Sequence, residues 1–374
     1  MGKDKKTKKR WSVKRRILTI VLTFFVVFMA GAGGILAYGN HLLNKMDQDD
    51  GVNAETQEDV FETGSDVSNL ESVDLEEFTF ADEDFEGRNE NGVYNILLLG
   101  EDHDNQSDNY RGNTDAMMVA TINSKENTVK LTSFMRDMYV QIPNYTDNKL
   151  NSVYAKGGIQ LVYDVFIKNF DMKLDGYVLV NFSKFEKIID KLGGVEITLS
   201  KAEAEYLNTT NYISVESDRN VVEGTQILNG AQALGYSRVR HIGNNDYQRT
   251  ERQRNVLTAI FNKFRSKNIV EMTSILEDIL GDLKTDMDAK KMISIAKESL
   301  GADLKDLETY RIPVDNSFKE ANIRGMAVLV VDFQKNIDAL HEFVFEDQDD
   351  TLSNTDQNTE QAEDQITDET LDNK

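Results

Sequence analysis

The residues with chemistry to offer fall in three stretches of the chain. Arg238 and Arg240 lie two apart in Tyr236–Ile242, a run whose composition predicts a strand, so both side chains would share one face. No acid occurs between Glu223 and Asp246, so the pair has no local counter-charge. Adjacent cations repel unless an anion joins them, and the guanidinium fork matches phosphate oxygens two bonds at a time. Arg249, Arg252 and Gln253 follow at i, i+3 and i+4, at the start of an amphipathic helix predicted over Thr250–Arg265. They would share a face near a helix N-terminus, where backbone amides also favour anions. Arg136 closes a predicted strand, Leu131–Phe134, and adds a further charge. Taken singly, each arginine reads better as the partner of Asp137, Asp246 or Glu251, or as a solvent-facing residue. The set together reads as an anion site.

Two carboxylates accompany it. Asp102 follows the predicted strand Ile96–Leu99, and Asp115 opens the next one. Both lie at strand ends near a loop and would be able to converge. Such a pair suits Mg²⁺, or Mn²⁺, which keeps waters and substrate phosphate oxygens as its other ligands. By itself the pair is weak, since an Asp at a strand edge is more often a turn residue. A divalent cation and several arginines around one spot describe a pyrophosphate site, each charged hydrogen bond contributing about 1.5–3 kcal/mol. In phosphoryl transfer a protein mainly positions groups and neutralises developing charge. His103 and His241 adjoin Asp102 and Arg240 but would point away from them, and no His pair has zinc spacing. The chain has no Cys, which excludes thiolate chemistry and disulfides.

The elements that must hold these groups alternate between strand and helix. Val93–Leu99, Ala116–Ile122, Thr128–Phe134, Tyr177–Val180, Val195–Leu199, Thr309–Val314 and Ala327–Val331 read as strands. Ile159–Asn169 and Phe182–Leu192 read as helices, the second stopped by Gly193-Gly194, and a short helical segment begins at Gly230–Leu234. Residues 272–300 read as two more helices. Asn123–Asn127 reads as a hairpin turn, so the sheet should be mixed. The fold class that follows is α/β: a three-layer αβα domain with a central mixed sheet. Phe185, Ile188 and Ile189, on the apolar face of Phe182–Leu192, read by default as core, with a lipid slot as the other reading. In the helix Thr250–Arg265, Val256, Leu257, Ile260, Phe261 and Phe264 share one side.

The flanks are of another kind. Residues 1–16 hold nine Lys/Arg and one Asp, residues 47–86 hold sixteen Asp/Glu and no Lys/Arg, and residues 346–374 hold eleven Asp/Glu and one Lys. The net charge of -23 therefore resides in the flanks, and the body is only mildly acidic. Ile17–Tyr38 is an uncharged run of 22 residues. At 1.5 Å per residue it reaches about 33 Å, enough to cross a bilayer core of about 30 Å. The basic stretch before it places the N-terminus in the cytoplasm and the body outside. A cleaved signal peptide is the alternative, disfavoured by the length of the run. The expected order is a basic cytoplasmic segment (1–16), a single N-terminal transmembrane helix (17–38), an acidic linker (39–91), a catalytic domain (92–345) and an acidic tail (346–374). The scattered Leu and Phe of Glu71–Phe85 give that part of the linker apolar groups to pack on the body.

Several stretches together resemble the LytR-CpsA-Psr family of wall-glycan phosphotransferases. They are Asn95-Ile-Leu-Leu-Leu-Gly-Glu-Asp102, Thr114-Asp-Ala-Met-Met-Val-Ala120, Ser133-Phe-Met-Arg-Asp137, Lys149-Leu-Asn-Ser-Val-Tyr-Ala-Lys-Gly-Gly158, Leu192-Gly-Gly-Val195, Ala233-Leu-Gly-Tyr-Ser-Arg-Val-Arg240 and Asp246-Tyr-Gln-Arg-Thr-Glu-Arg-Gln-Arg254. They run in family order over about 95–265. The resemblance implies a hydrophobic slot for a polyprenyl chain and Mg²⁺ near Asp102 and Asp115. It also implies pyrophosphate contacts from Arg136, Arg238, Arg240 and Arg249, with Asp246 and Gln253 in the same site. The implied reaction moves a phosphoglycan, such as teichoic acid or capsule, from a polyprenyl pyrophosphate carrier to a peptidoglycan hydroxyl, releasing polyprenyl phosphate. Two positions depart from the pattern. Asn113 stands where the family has Arg, with Arg111 the nearest substitute, and Phe134-Met135 replaces Ile-Pro. Two other functions stay open: a pyrophosphatase using water as acceptor, and a tethered binding or regulatory protein without turnover. Nucleic acid is not an expected partner, because the basic stretch and the body lie on opposite sides of the membrane.

Overall fold

The computed structural model describes residues 85–102, 111–243, 245–267 and 307–345, with parts of 271–295 and short pieces at 47–48, 67 and 69–72. The Ile17–Tyr38 run, His103 and the acidic tail lie outside the described residues. Among those described, no helix is long and apolar enough to cross a membrane.

The sheet grows from one meander. Strand β1 (Val93–Glu101) pairs antiparallel with β2 (Thr114–Asn123), and β2 with β3 (Thr128–Phe134). Asn127, in the left-handed region at φ 62°, makes the β2–β3 turn. After helix α1 (Val153–Phe170), strand β4 (Gly176–Asn181) returns parallel to β1. Strand β7 (Glu308–Ile312) adds parallel to β3. Lys284–Thr285 and Asp47–Gln48 extend the far edge, giving seven strands of mixed direction among the described residues. This is the mixed α/β sheet expected.

Side chains alternate along the strands, as a pleated sheet requires. In β1, Leu97 and Leu99 enter a core with α1 and α6 (Phe333–Phe345), while Ile96 enters the opposite core. That second core is closed by α2 (Phe182–Lys191), α4 (Gly230–Arg238) and α5 (Asn245–Arg265). Helices therefore cover both faces of the sheet. Beside them stand the hairpin of β5 (Val195–Leu199) with β6 (Gly224–Leu228), helix α3 (Lys201–Thr209), and the hairpin of β8 (Phe318–Ile323) with β9 (Met326–Val331).

Three elements differ from the expectation. Tyr236–Ile242 is not a strand: the helix begun at Gly230 runs on to Arg238, and Val239 ends it at φ -59°, ψ 125°. An Asn229–Gln232 capping box starts this helix, and its Ala, Gln and Leu sustain it. Gly230 is required where α4 crosses α2, since a Cβ there would overlap the Glu186 carbonyl. Helix α5 begins at Asn245 rather than Thr250, with Asp246 in its first turn, where a carboxylate meets the positive end of the dipole. Residues 280–285, within the span read as two helices, form a 3₁₀ turn and a short strand. The expected linker also touches the body, the Asn322 amide donating to Glu71 at 2.9 Å.

Candidate active site

A cavity of about 480 Å³ opens between the sheet and the α2–α4–α5 layer. Its floor is the outward face of the sheet: Leu98, Met118, Ala120, Leu131, Val178 and Val180. Its walls are Phe182, Phe185 and Ile188 of α2, Leu234 of α4, and Val256, Leu257, Ile260 and Phe261 of α5. The helix α2 is aimed here by its cap. Asn181 ends β4, and its side chain accepts the Lys184 amide at 3.0 Å, so the chain turns into a helix at the cavity edge. Phe185 and Ile188 thus line a slot, whereas Ile189 is fully buried core.

The polar residues gather at the cavity: Asp102, Asp115, Arg136, Arg238, Arg240, Arg249 and Gln253 all line it. Asp115 is placed by a bulge. Pairing jumps from Gly100–Ala116 to Glu101–Thr114, leaving Asp115 as the extra residue, and a bulge re-aims a side chain. Arg136 sits in the turn after β3, which is pinned on several sides. Asn151 donates its amide to the Arg136 carbonyl at 3.1 Å, and Leu329 donates to Asp137 at 2.8 Å. The Arg136 guanidinium pairs with Asp115 and, at 3.4 Å, with Asp137. Lys149 holds the other oxygen of Asp137 at 2.8 Å. Burial opposes the charge on Arg136, but Asp115, Asp137 and Asp246 outweigh it and raise its pKa.

Arg238 and Arg240 reach the cavity from a helix end and the extended residues beyond it, not from one strand face. Arg238 lies over the Phe182 ring at 4.5 Å and forms no ion pair among the described residues. Arg240 and Arg249 both approach Asp246 Oδ1, at 3.4 and 3.3 Å. Arg249 is 2% exposed, yet its Nε and Nη1 have no hydrogen-bond partner. Burial, then the nearby Arg136, lowers its pKa. Gln253, one turn on, donates to the Asp115 carbonyl at 3.4 Å.

Other predicted residues lie elsewhere. Asp246 stands behind Arg240 and Arg249 and does not line the cavity itself. Burial pushes its carboxyl up to about 6, and the hydrogen bond it shares with Asp137 adds to the rise. Burial would also raise Asp137, but that bond with Asp246, Arg136 and Lys149 holds it well below the usual carboxylate range. Arg111 is outside the cavity lining; its guanidinium fills the space beside Gly158, where α1 kinks, near the Tyr154 ring. Arg252 turns away from Arg249 to Glu203 at 2.7 Å and to the carbonyls of Val239 and Ile242, so it braces the turn after α4. Because α5 starts early, Arg249 and Gln253 lie beyond its first turn, not at its amide end. His241 is exposed, 6.2 Å from the Tyr206 ring. Asp137 is expected from the sequence only as a neutralising partner, and Lys149 is not among the expected site residues. The adjacency of Asp137 to Arg136, and the place of each residue in a matching stretch, are the signals the sequence offers.

An apolar slot ending in convergent guanidinium groups suits an amphiphile with an anionic head. The LytR_cpsA_psr family model matches residues 53–342, more than three quarters of the chain. The chain belongs to the LytR-CpsA-Psr family. Among its relatives, regulatory protein MsrR of Staphylococcus aureus is 28% identical over 260 residues, covering 68% of this chain and 76% of the relative. The polyisoprenyl-teichoic acid–peptidoglycan teichoic acid transferase TagU of Enterococcus faecalis is 33% identical over 206 residues, covering 54% of this chain and 64% of the transferase. The solved structure of TagT bound to LI-WTA superposes with a TM-score of 0.54 at 25% identity, covering 71% of this chain and 98% of that one. The family match reaches back into the stretch read as linker.

Proposed function

We propose that this family member moves a phosphoglycan from a polyprenyl pyrophosphate carrier to a hydroxyl of peptidoglycan. The observation that carries the reading is Arg249: a buried guanidinium whose Nε has no partner and whose Nη1 has only the 3.3 Å ion pair with Asp246, at the polar side of an apolar slot. A buried polar group left unpaired costs about 1–3 kcal/mol, more when charged. An anion seated against it removes that cost. The polyprenyl chain would lie among Leu98, Val180, Phe185 and Leu257, and the diphosphate against Arg136, Arg238, Arg240 and Arg249. The acceptor oxygen attacks the phosphorus attached to the glycan and forms the new O–P bond. The bond from that phosphorus to the bridging oxygen breaks, and polyprenyl phosphate leaves with its charge neutralised by the arginines. The hydroxyl proton passes to Asp102 or Asp115.

The donor set fits a Mg²⁺ or Mn²⁺ ion: two hard carboxylates line the cavity, with phosphate and water available as further ligands. Asp102 and Asp115 would hold the ion, Asp115 shared with Arg136. When bound, it would add positive charge against the diphosphate. The uncharged Ile17–Tyr38 run would tether the domain outside the membrane.

The test uses the full chain in detergent with a labelled lipid-linked glycan and peptidoglycan. Phosphodiester-linked polymer is the expected product. Free glycan phosphate in its place would make the protein a pyrophosphatase, and donor bound without turnover would make it a tethered binding protein.

A further inference from the structure

A second groove lies on the other side of α5. Tyr247, Glu251 and Arg254, at i, i+4 and i+7, form one wall, and Arg311, Asp315 and Phe318 the other. Arg249 and Gln253 point from the opposite face of α5 into the cavity, so this helix separates the two spaces. The groove also adjoins the arginine cluster through the sheet, since the Met135 amide donates to the Ile312 carbonyl at 2.8 Å, between Arg136 and Arg311.

Its chemistry is not that of a phosphate site. Arg254 and Arg311 are matched by Glu251 and Asp315, so the lining is neutral overall. Arg311 pairs with Asp315 and lies over the Tyr247 ring at 4.7 Å. Tyr247 and Phe318 stand 5.6 Å apart, giving an apolar platform with a hydroxyl at one edge. Arg254 Nη1 is buried without a hydrogen-bond partner, a donor that a ligand oxygen would satisfy. Aromatic faces bordered by planar donors and acceptors of both signs fit a neutral polyhydroxylated chain. The rings meet the C–H faces of sugars, and the forked polar groups meet their hydroxyls and acetamido groups.

We infer that this groove docks the acceptor glycan strand beside the transfer site. The inference rests on the transferase reading for the purpose of the groove, but not for its ligand. The experiment titrates the full chain in detergent with a soluble β-1,4-linked acetamido-sugar tetrasaccharide, followed by saturation-transfer NMR, and measures transfer kinetics in parallel. Phe318→Ala should weaken oligosaccharide binding at least fivefold and raise the acceptor KM, leaving the donor KM unchanged. Asp315→Ala, at a side chain 84% exposed, should do the same more weakly without risk to the fold. Arg238→Ala should lose transfer and keep oligosaccharide binding. Wild-type transfer without oligosaccharide binding, or wild-type acceptor KM in both groove variants, overturns the subsite. Oligosaccharide binding that Phe318→Ala weakens, with no phosphodiester formed by the wild type, supports the glycan groove and rejects the transferase reading instead.

Discussion

Arg249→Met separates a ligand-binding charge from a structural one. The substitution keeps an unbranched apolar stem and removes the guanidinium. Of its donors, Nε has no partner and Nη1 has only the 3.3 Å ion pair with Asp246, and the residue is 2% exposed. If both meet diphosphate oxygens, their loss removes two charged hydrogen bonds, about 3–6 kcal/mol together. At about 1.4 kcal/mol per tenfold, donor affinity should fall by about 10²–10⁴. Stability should move the other way or hardly at all. The variant no longer buries an under-satisfied charge, a relief on the order of 1–3 kcal/mol. Against this, Asp246 loses one of its arginine neighbours but keeps Arg240, Arg136 and the bond to Asp137. The assay pairs a binding titration of polyprenyl pyrophosphate with a thermal melt at pH 7.5. Weak donor binding with an unchanged or higher Tm is expected. A Tm lowered by several degrees with donor affinity preserved would falsify the assignment, because Arg249 would then be a packing residue.

Arg238→Ala and Arg240→Ala should each abolish transfer with the fold intact by circular dichroism; normal transfer by both rejects the pyrophosphate site. Arg252→Ala should behave in the opposite manner. It leaves Glu203 and two carbonyls without their buried partner, a loss of about 3–5 kcal/mol, and the melt should fall on the order of 10 °C. Excess chelator should stop transfer and added Mg²⁺ restore it, whereas full turnover in chelator removes Asp102 and Asp115 from a metal role. Asp246 has a pKa raised to about 6, so its proton is bound below that pH and lost above it. As pH falls from 7.5 to 5, its negative charge leaves Arg240 and Arg249, and diphosphate should bind more tightly. Asp246→Asn should flatten that profile, and an identical pH dependence in the variant refutes the coupling. The stability linkage has the same sign. The folded chain holds this proton after an unfolded carboxyl has released it, so the contribution is full below about 4 and is lost as pH rises through about 6.

Much of the sheet is legible in the sequence because its strands are long and apolar, with turn residues between them. Thr128–Phe134 matches the observed strand end to end, and Val93–Leu99 and Ala116–Ile122 fall short of theirs by a few end residues. The short partners are not legible. Gly224–Leu228 alternates exposed and partly buried residues, and its identity as a strand comes from pairing with β5, thirty residues away. The failure at Tyr236–Ile242 has a local cause. Val239 and Ile242 favour a strand in isolation, but the capping box at Asn229 had already committed the chain to a helix. The arginines nevertheless reach the same cavity, because residue type and order carried the site while the assumed backbone did not. Arg252 shows the limit of that logic. Helical spacing put it beside Arg249 and Gln253, and only the distant Glu203 shows that it faces elsewhere.

The site as a whole is a charge arrangement left incomplete on one side. Behind it, the charges are paired: Lys149 holds Asp137, Asp137 shares a hydrogen bond with Asp246, and Asp137 and Asp115 hold Arg136. Toward the cavity the pairing thins: Arg249 Nε has no hydrogen-bond partner, and Arg238 has no ion pair among the described residues. A fully paired network would be more stable and would have nothing to offer a diphosphate. An unpaired one without the carboxylates behind it would let the cations drift apart, because like charges a few ångströms apart in a low-dielectric setting repel strongly. The acids therefore fix where the arginines stand, and the vacant donors fix what they bind. This division predicts different phenotypes for the two sets: losing an arginine should remove affinity, whereas losing Asp137 should first remove the geometry on which affinity depends.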